Sequence, residues 1–233
     1  MIDLRRRDGR PLRIGHRGAA ALAPENTLDS IALAVELGCD LVEFDVHAVE
    51  GTLVLAHDRP RSADGLPSLD EALAFLGSTG AGVHLDLKSS GAEHAVADAL
   101  RRHGIIDRTL VSSFRRGTLR ALHAVEPAVR LGRTYPQDRT GLTRREVFHP
   151  PARAIVRGLR RTLPRWIGAL LAGSRASAAV LYWEVVSEEV VARCRALGVP
   201  VLAWTVDDPA VLPRLDAFGV DGVITNDPRI FES

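Results

Sequence analysis

Eight short apolar runs, each followed by an amphipathic run or by space for one, predict an α/β chain closed as a TIM (β/α)8 barrel. Two further observations favour the closed form over an open doubly wound sheet. The length of 233 residues is the usual size of one barrel, and no Gly-x-Gly-x-x-Gly pattern follows the first run. Hydrophobic residues make up 46% and charged residues 25%, enough for a large core and too little polarity for disorder. No low-complexity linker or internal repeat divides the chain, which predicts one domain over residues 1–233.

Residues 12–15 form the first strand candidate, ended by His16-Arg17-Gly18. Over 27–37, Leu28, Ile31, Ala32 and Val35 have helical spacing, with Asn26 or Thr27 as N-cap and Gly38 as the stop. A second strand covers 41–46, and 53–56 adds a short extended run. Helix over 69–76, strand over 83–87, helix over 93–103 and strand over 109–111 continue the alternation. Helix follows over 116–125 and strand over 129–131. After a longer irregular stretch come strand 178–182, helix 188–197, strand 201–204, helix 210–218 and strand 222–225.

Chemistry in such a barrel collects at the C-terminal ends of the strands. Those ends carry His16 and Arg17, then Glu43 and Asp45, then Asp86 and Lys88, Ser113, Trp204, and Asn226 with Asp227. Glu43 and Asp45, two apart on a strand, point to one face. Burying two carboxylates side by side is costly unless a cation lies between them, although arginines at the barrel mouth could also pair with them. With Asp86 they make an all-oxygen set that suits Mg²⁺ or Ca²⁺ rather than zinc. His16 and His57 bracket this set, and histidine can give or take a proton near neutral pH. His84, His94, His103, His123 and His149 read as loop histidines without a role, while His47 shares the face of Asp45. Of 30 basic residues only Lys88 is lysine, which suggests a need for a compact ammonium group; Arg17 and Lys88 are the candidate phosphate contacts.

Taken together the residues resemble the glycerophosphodiester phosphodiesterase family. The match begins at Gly15-His16-Arg17-Gly18 and Ala23-Pro24-Glu25-Asn26-Thr27, and continues through residues 38–46 and Val54-Leu55-Ala56-His57-Asp58. Leu85-Asp86-Leu87-Lys88, Ser112-Ser113-Phe114, Ala203-Trp204-Thr205-Val206 and residues 219–226 follow in order. The resemblance implies hydrolysis of glycerophosphodiesters to glycerol 3-phosphate and an alcohol. It further implies a divalent ion, Mg²⁺ or Ca²⁺, on Glu43, Asp45 and Asp86, His16 and His57 as the acid–base pair, and Arg17 and Lys88 on the phosphate. Trp204 would line the pocket, with Glu25 and Asn26 supporting the metal and His16 from behind. Two features depart from the family pattern. The insertion that usually caps the site is reduced to residues 59–67, and the third ligand is Asp86 where glutamate is usual. Both are also similar to the sphingomyelinase D and phospholipase D toxins, so lysolipids are an alternative substrate class.

Other readings follow from composition. A net charge of +1 gives no general case for nucleic acid, and Cys39 and Cys194 lack metal-like spacing and read as buried thiols. Residues 1–13 contain no apolar signal core and no run approaches about 20 apolar residues, so the expected location is cytoplasmic. Residues 147–183 contain no acidic residue but several arginines, from Arg153 to Arg175, interleaved with apolar positions. Such a segment can lie on an anionic membrane, with 147–175 as the contact, or it can be an ordinary helix pair with a solvated basic face, broken at Pro164. A non-catalytic barrel that binds phosphodiesters is the remaining alternative; it would not need two proton-transfer groups.

Overall fold

The computed structural model of the chain describes residues 1–137 and 150–232. Its strands are β1 (Leu12–Gly15), β2 (Leu41–Val49), β3 (Thr52–Leu55), β4 (Gly82–Leu87), β5 (Thr109–Ser113), β6 (Arg130–Tyr135), β7 (Ala178–Tyr182), β8 (Val201–Trp204) and β9 (Gly222–Thr225). They pair in the order β1-β9-β8-β7-β6-β5-β4-β2-β3, and a β1–β2 pairing closes the ring. Every pair is parallel except β2–β3, a hairpin on the ring's outer continuation, so the closed barrel has eight parallel strands. The hairpin turns on Glu50 (φ 51°) and Gly51 (φ 82°), a two-residue connection in which both positions are left-handed.

The helices are α1 (Leu28–Glu36), α2 (Leu69–Gly77), α3 (Glu93–Arg102), α4 (Arg116–Val125), α5 (Pro150–Ser174), α6 (Glu188–Ala196) and α7 (Leu212–Phe218). Thr27 and Ser68 start α1 and α2 with reciprocal capping boxes to Ser30 and Glu71, and Ser187 caps α6. Thr27 is therefore the cap of α1; Asn26 sits at φ 58° with its side chain turned inward.

Strand alternation sorts the core into layers. Val42, Phe44 and Val46 of β2 and Val83, Leu85 and Leu87 of β4 face outward into one apolar cluster with α1–α4. Ala179, Leu181, Val201, Ala203 and Val223 face outward into a second cluster with α5 and α6. Inside the ring, Leu4, Leu12, Ile14, Leu41, Leu110, Leu202 and Ile224 form a third. The inward positions nearer the C-terminal strand ends are where polar residues replace apolar ones.

Three elements differ from the sequence expectation. β6 continues through Tyr135, four residues beyond 131, because Arg133 and Thr134 interrupt the apolar signal without interrupting the ladder to β7. β2 runs on to Val49 as one arm of the hairpin. α5 is one helix of 25 residues that passes through Pro164 rather than breaking there. Leu163, Ile167 and Leu171, four apart, are fully or almost fully buried on either side of Pro164, and that packing holds the helix together. Residues 138–149, which include His149 and the first residues of the predicted basic segment, lie outside the described residues. Between β3 and α2 the chain forms no helix or strand, as expected of a short cap. Among the described residues no helix is long and apolar enough to cross a membrane.

Candidate active site

A cavity of about 990 Å³ opens at the C-terminal strand ends and is lined by His16, Arg17, Glu25, Glu43, Asp45, His57, Asp86, Lys88 and Trp204, among others. The predicted site residues thus meet in one place. Asn26 lies just behind it.

Glu43, Asp45 and Asp86 are buried, and each offers an oxygen within 4.8 Å of the others. The ladder sets this up, because β2 and β4 pair with Asp45 opposite Asp86 and Glu43 opposite His84. Asn26 fixes Asp45 from behind: its Oδ1 accepts from the Asp45 amide (2.9 Å) and its Nδ2 donates to Oδ2 (3.2 Å). The Arg17 amide donates to Glu43 Oε2 (2.8 Å). Burial, then repulsion from Asp45 and Asp86, pushes the Glu43 carboxyl well above its ordinary range. For Asp45, burial acts in the same direction, but Lys88, His57 and Arg17 outweigh it and hold the group well below the usual range. A buried carboxylate trio whose members repel one another in this way is short of positive charge. An all-oxygen set of this kind fits a divalent cation such as Mg²⁺ or Ca²⁺.

Lys88 donates to Asp86 Oδ2 and lies 2.7 Å from Asp45 Oδ1. Burial opposes its charge, and Asp86, Asp45 and Glu43 more than restore it, so Lys88 stays protonated. Arg17 pairs with Glu25, and its Nη2 donates to His57 Nε2 (3.4 Å). Its Nε is 3.1 Å from Asp45 Oδ2, near enough for charge attraction but out of line for a hydrogen bond. Both cations thus lie against Asp45, one of the three candidate ligands.

The two histidines are held differently. His57 Nδ1 is 3.1 Å from Asp45 Oδ2, so it carries the hydrogen and turns Nε2 toward the cavity. His16 Nδ1 is 2.7 Å from Asn226 Oδ1. The amide of Asn226 cannot flip, because its Nδ2 donates to Asp207 Oδ2 (2.7 Å) and its backbone N–H to Oδ1 (2.8 Å). His16 therefore carries hydrogen on Nδ1 and presents a bare Nε2, 3.9 Å from Glu43 Oε2. Burial, then the Arg17 charge, lowers its pKa to about 4.

Opposite the carboxylates stands an aromatic wall. Trp204 packs edge-on against Phe114 (centroids 5.9 Å apart) and tilted against Tyr182 (5.7 Å), with its Nε1 donating to the Val180 carbonyl.

Several assignments change. His84 is not a loop histidine: it lies on β4, fully buried, and lines the cavity. The two-residue spacing that joins Asp86 to Lys88 also places His84 on the inner face, so the signal was present. Ser113 donates to the Leu87 carbonyl, and its neighbour Ser112 is the serine that faces inward, onto Asp86. His47 bonds the His57 carbonyl and is not among the lining residues. Asp207 and the pair Tyr182-Trp183 were not anticipated; an aromatic pair at the end of β7 was the available sign. Cys39 and Cys194 are buried free thiols, as expected.

A family model described as the glycerophosphoryl diester phosphodiesterase family matches residues 16–74 and 83–230. A glycerophosphodiester phosphodiesterase of Caldanaerobacter subterraneus subsp. tengcongensis is 27% identical over 253 residues, covering 93% of this chain and 94% of that one. The fold is similar to an Oleispira antarctica phosphodiesterase solved in complex with the product sn-glycerol-3-phosphate (TM-score 0.76, 24% identity, 96% and 97% of the two chains covered). It is also similar to a glycerophosphodiester phosphodiesterase of Agrobacterium tumefaciens (TM-score 0.71, 22% identity, 95% and 98% covered).

Proposed function

The chain belongs to the glycerophosphoryl diester phosphodiesterase family, and from that premise we propose that it hydrolyses glycerophosphodiesters to glycerol 3-phosphate and an alcohol. The observation that carries this reading is the buried Glu43–Asp45–Asp86 trio flanked by two oriented histidines. The trio would hold a divalent ion, Mg²⁺ or Ca²⁺, which when bound would supply positive charge beside the phosphate. Arg17 and Lys88, which line the cavity beside the trio, would contact the phosphate oxygens. Trp204 and its aromatic neighbours exclude water from the opposite side of the cavity.

His16 has the properties of the base: it is neutral, and its Nε2 lone pair is aimed inward by the Asp207–Asn226 chain. It takes the proton from the nucleophilic hydroxyl as the new P–O bond forms. His57, held through Nδ1 by Asp45, must first take a proton from solvent on Nε2, displacing the Arg17 contact, and gives that proton to the alkoxide as the P–O bond to the alcohol breaks. Water and the neighbouring glycerol hydroxyl are both suitable nucleophiles, and a cyclic phosphate seen by phosphorus NMR during turnover distinguishes them.

The test is release of glycerol 3-phosphate from glycerophosphocholine with Mg²⁺ or Ca²⁺ and after exhaustive chelation. Turnover that survives chelation removes the metal from the mechanism. No turnover of any glycerophosphodiester with either ion leaves the non-catalytic, phosphodiester-binding barrel.

A second substrate class, lysophospholipids at a membrane surface, is favoured by α5. Its first half exposes Arg153, Arg157 and Arg161 with Ile155, which is 54% exposed. On this reading residues of the 147–175 segment contact anionic lipid, and the protein works at the membrane periphery. Faster turnover of lysophosphatidylcholine than of glycerophosphocholine, together with sedimentation on phosphatidylserine vesicles, would favour it.

A further inference from the structure

His84 is fully buried and has no part in the proposed proton transfers, yet it lines the same cavity and stands beside a member of the carboxylate trio. It faces inward from β4 beside Glu43, two residues before Asp86. Its Nε2 is 2.9 Å from Ser112 Oγ, and Ser112 Oγ is 2.7 Å from Asp86 Oδ1. Thr134 Oγ1 lies 3.4 Å from the same oxygen.

The directions of these bonds follow from valence. The Asp86 carboxylate, paired with Lys88, only accepts, so the Ser112 hydroxyl hydrogen points at it. The serine oxygen then has only lone pairs left to offer, and His84 must donate to it through Nε2–H. The tautomer is thereby set, and Nδ1 is a bare acceptor. Consistently, Nδ1 is a buried atom with no partner among the described residues.

We propose that His84 and Ser112 form a brace that positions Asp86 for the divalent ion, which makes His84 a positioning residue of the metal site. The brace holds Oδ1 toward β5 and β6 and leaves Oδ2 facing β2, where Lys88 and Asp45 meet it. Two physical needs call for it. Three carboxylates within 4.8 Å repel, and the one on the separate strand is the one free to turn away. Asp86 is also one methylene shorter than Glu43 and cannot reach by bending its side chain. A serine hydroxyl alone could rotate off the carboxylate, and the His84 N–H removes that freedom.

The inference rests on the reading of the trio as a metal site, and calorimetric titration of Mg²⁺ or Ca²⁺ into chelator-stripped protein tests the two separately. The wild type should bind one ion. His84→Phe and Ser112→Ala should each weaken binding roughly 10- to 100-fold. His84→Gln, whose amide can still donate to Ser112, should stay within a few-fold of wild type. If His84→Phe fails to fold, Ser112→Ala decides, since it removes only the hydroxyl. Unchanged affinity in the folded variants, or a lowered melting temperature with unchanged affinity, overturns the brace. A wild type that takes no ion overturns the metal reading itself, and the brace with it.

Discussion

At the scale of single residues, the site separates groups that are aligned from groups that react. His16→Ala and His57→Ala should each lower turnover by roughly 10²- to 10⁴-fold in a glycerol 3-phosphate assay. Full activity in both variants would refute the assignment. Buried histidines also leave a mark on stability. His16 and His84 take up a proton near pH 6.5 when unfolded but only near 4 when folded, because burial disfavours the imidazolium. Their contribution is therefore complete above pH 6.5 and is lost as the pH falls toward 4, on the order of 3 kcal/mol for each. His84→Gln should flatten the fall in urea-unfolding free energy between pH 6.5 and 4.5. An equal fall in wild type and variant would contradict this. The residues seen from sequence were those at strand ends whose spacing sets their face, such as Glu43, Asp45 and Asp86. Asp207 was hidden because its role passes through Asn226, a contact between two loops that no local spacing encodes.

At the scale of elements, the β1–α1 connection is built around a close approach. Gly18 has φ +81°, and a Cβ there would lie 2.4 Å from the carbonyl carbon of Ser30. Gly51 has nearly the same φ, +82°, with nothing within 4 Å. Gly51→Ala should thus cost only the left-handed penalty, about 1–2 kcal/mol. Gly18→Ala should cost about 2–4 kcal/mol and reduce activity as well, since Ser30 also holds the Arg17 carbonyl. Denaturant midpoints of the two variants measure the difference. Apolar alternation made most strands and helices legible. It failed at β6, where strand pairing to β7 overrides polar Arg133 and Thr134, and at Pro164, where tertiary packing carries α5 through a residue that should stop it.

At the scale of the whole molecule, the site lies at the β1–β2 closure of the ring. His16 comes from the end of β1, two of the three carboxylates from β2, one from β4 and Asn226 from the end of β9. An ion on the trio ties β2 to β4 and should stabilise the folded state by about 2.7 kcal/mol at a concentration 100 times its Kd. For a chain of this size that is a rise in melting temperature of roughly 5–10 °C. The rise should vanish in Asp45→Asn and in chelator. Lys88 gives the molecule one more property. It is the sole lysine of 233 residues, so reductive methylation with labelled formaldehyde would mark only this side chain and the terminal amine. Surrounded by carboxylates, its ammonium holds its proton and is a poor nucleophile. A divalent ion that takes those carboxylates would lower its pKa and quicken the labelling, so a single NMR methyl signal would report occupancy of the active site without any substrate being turned over.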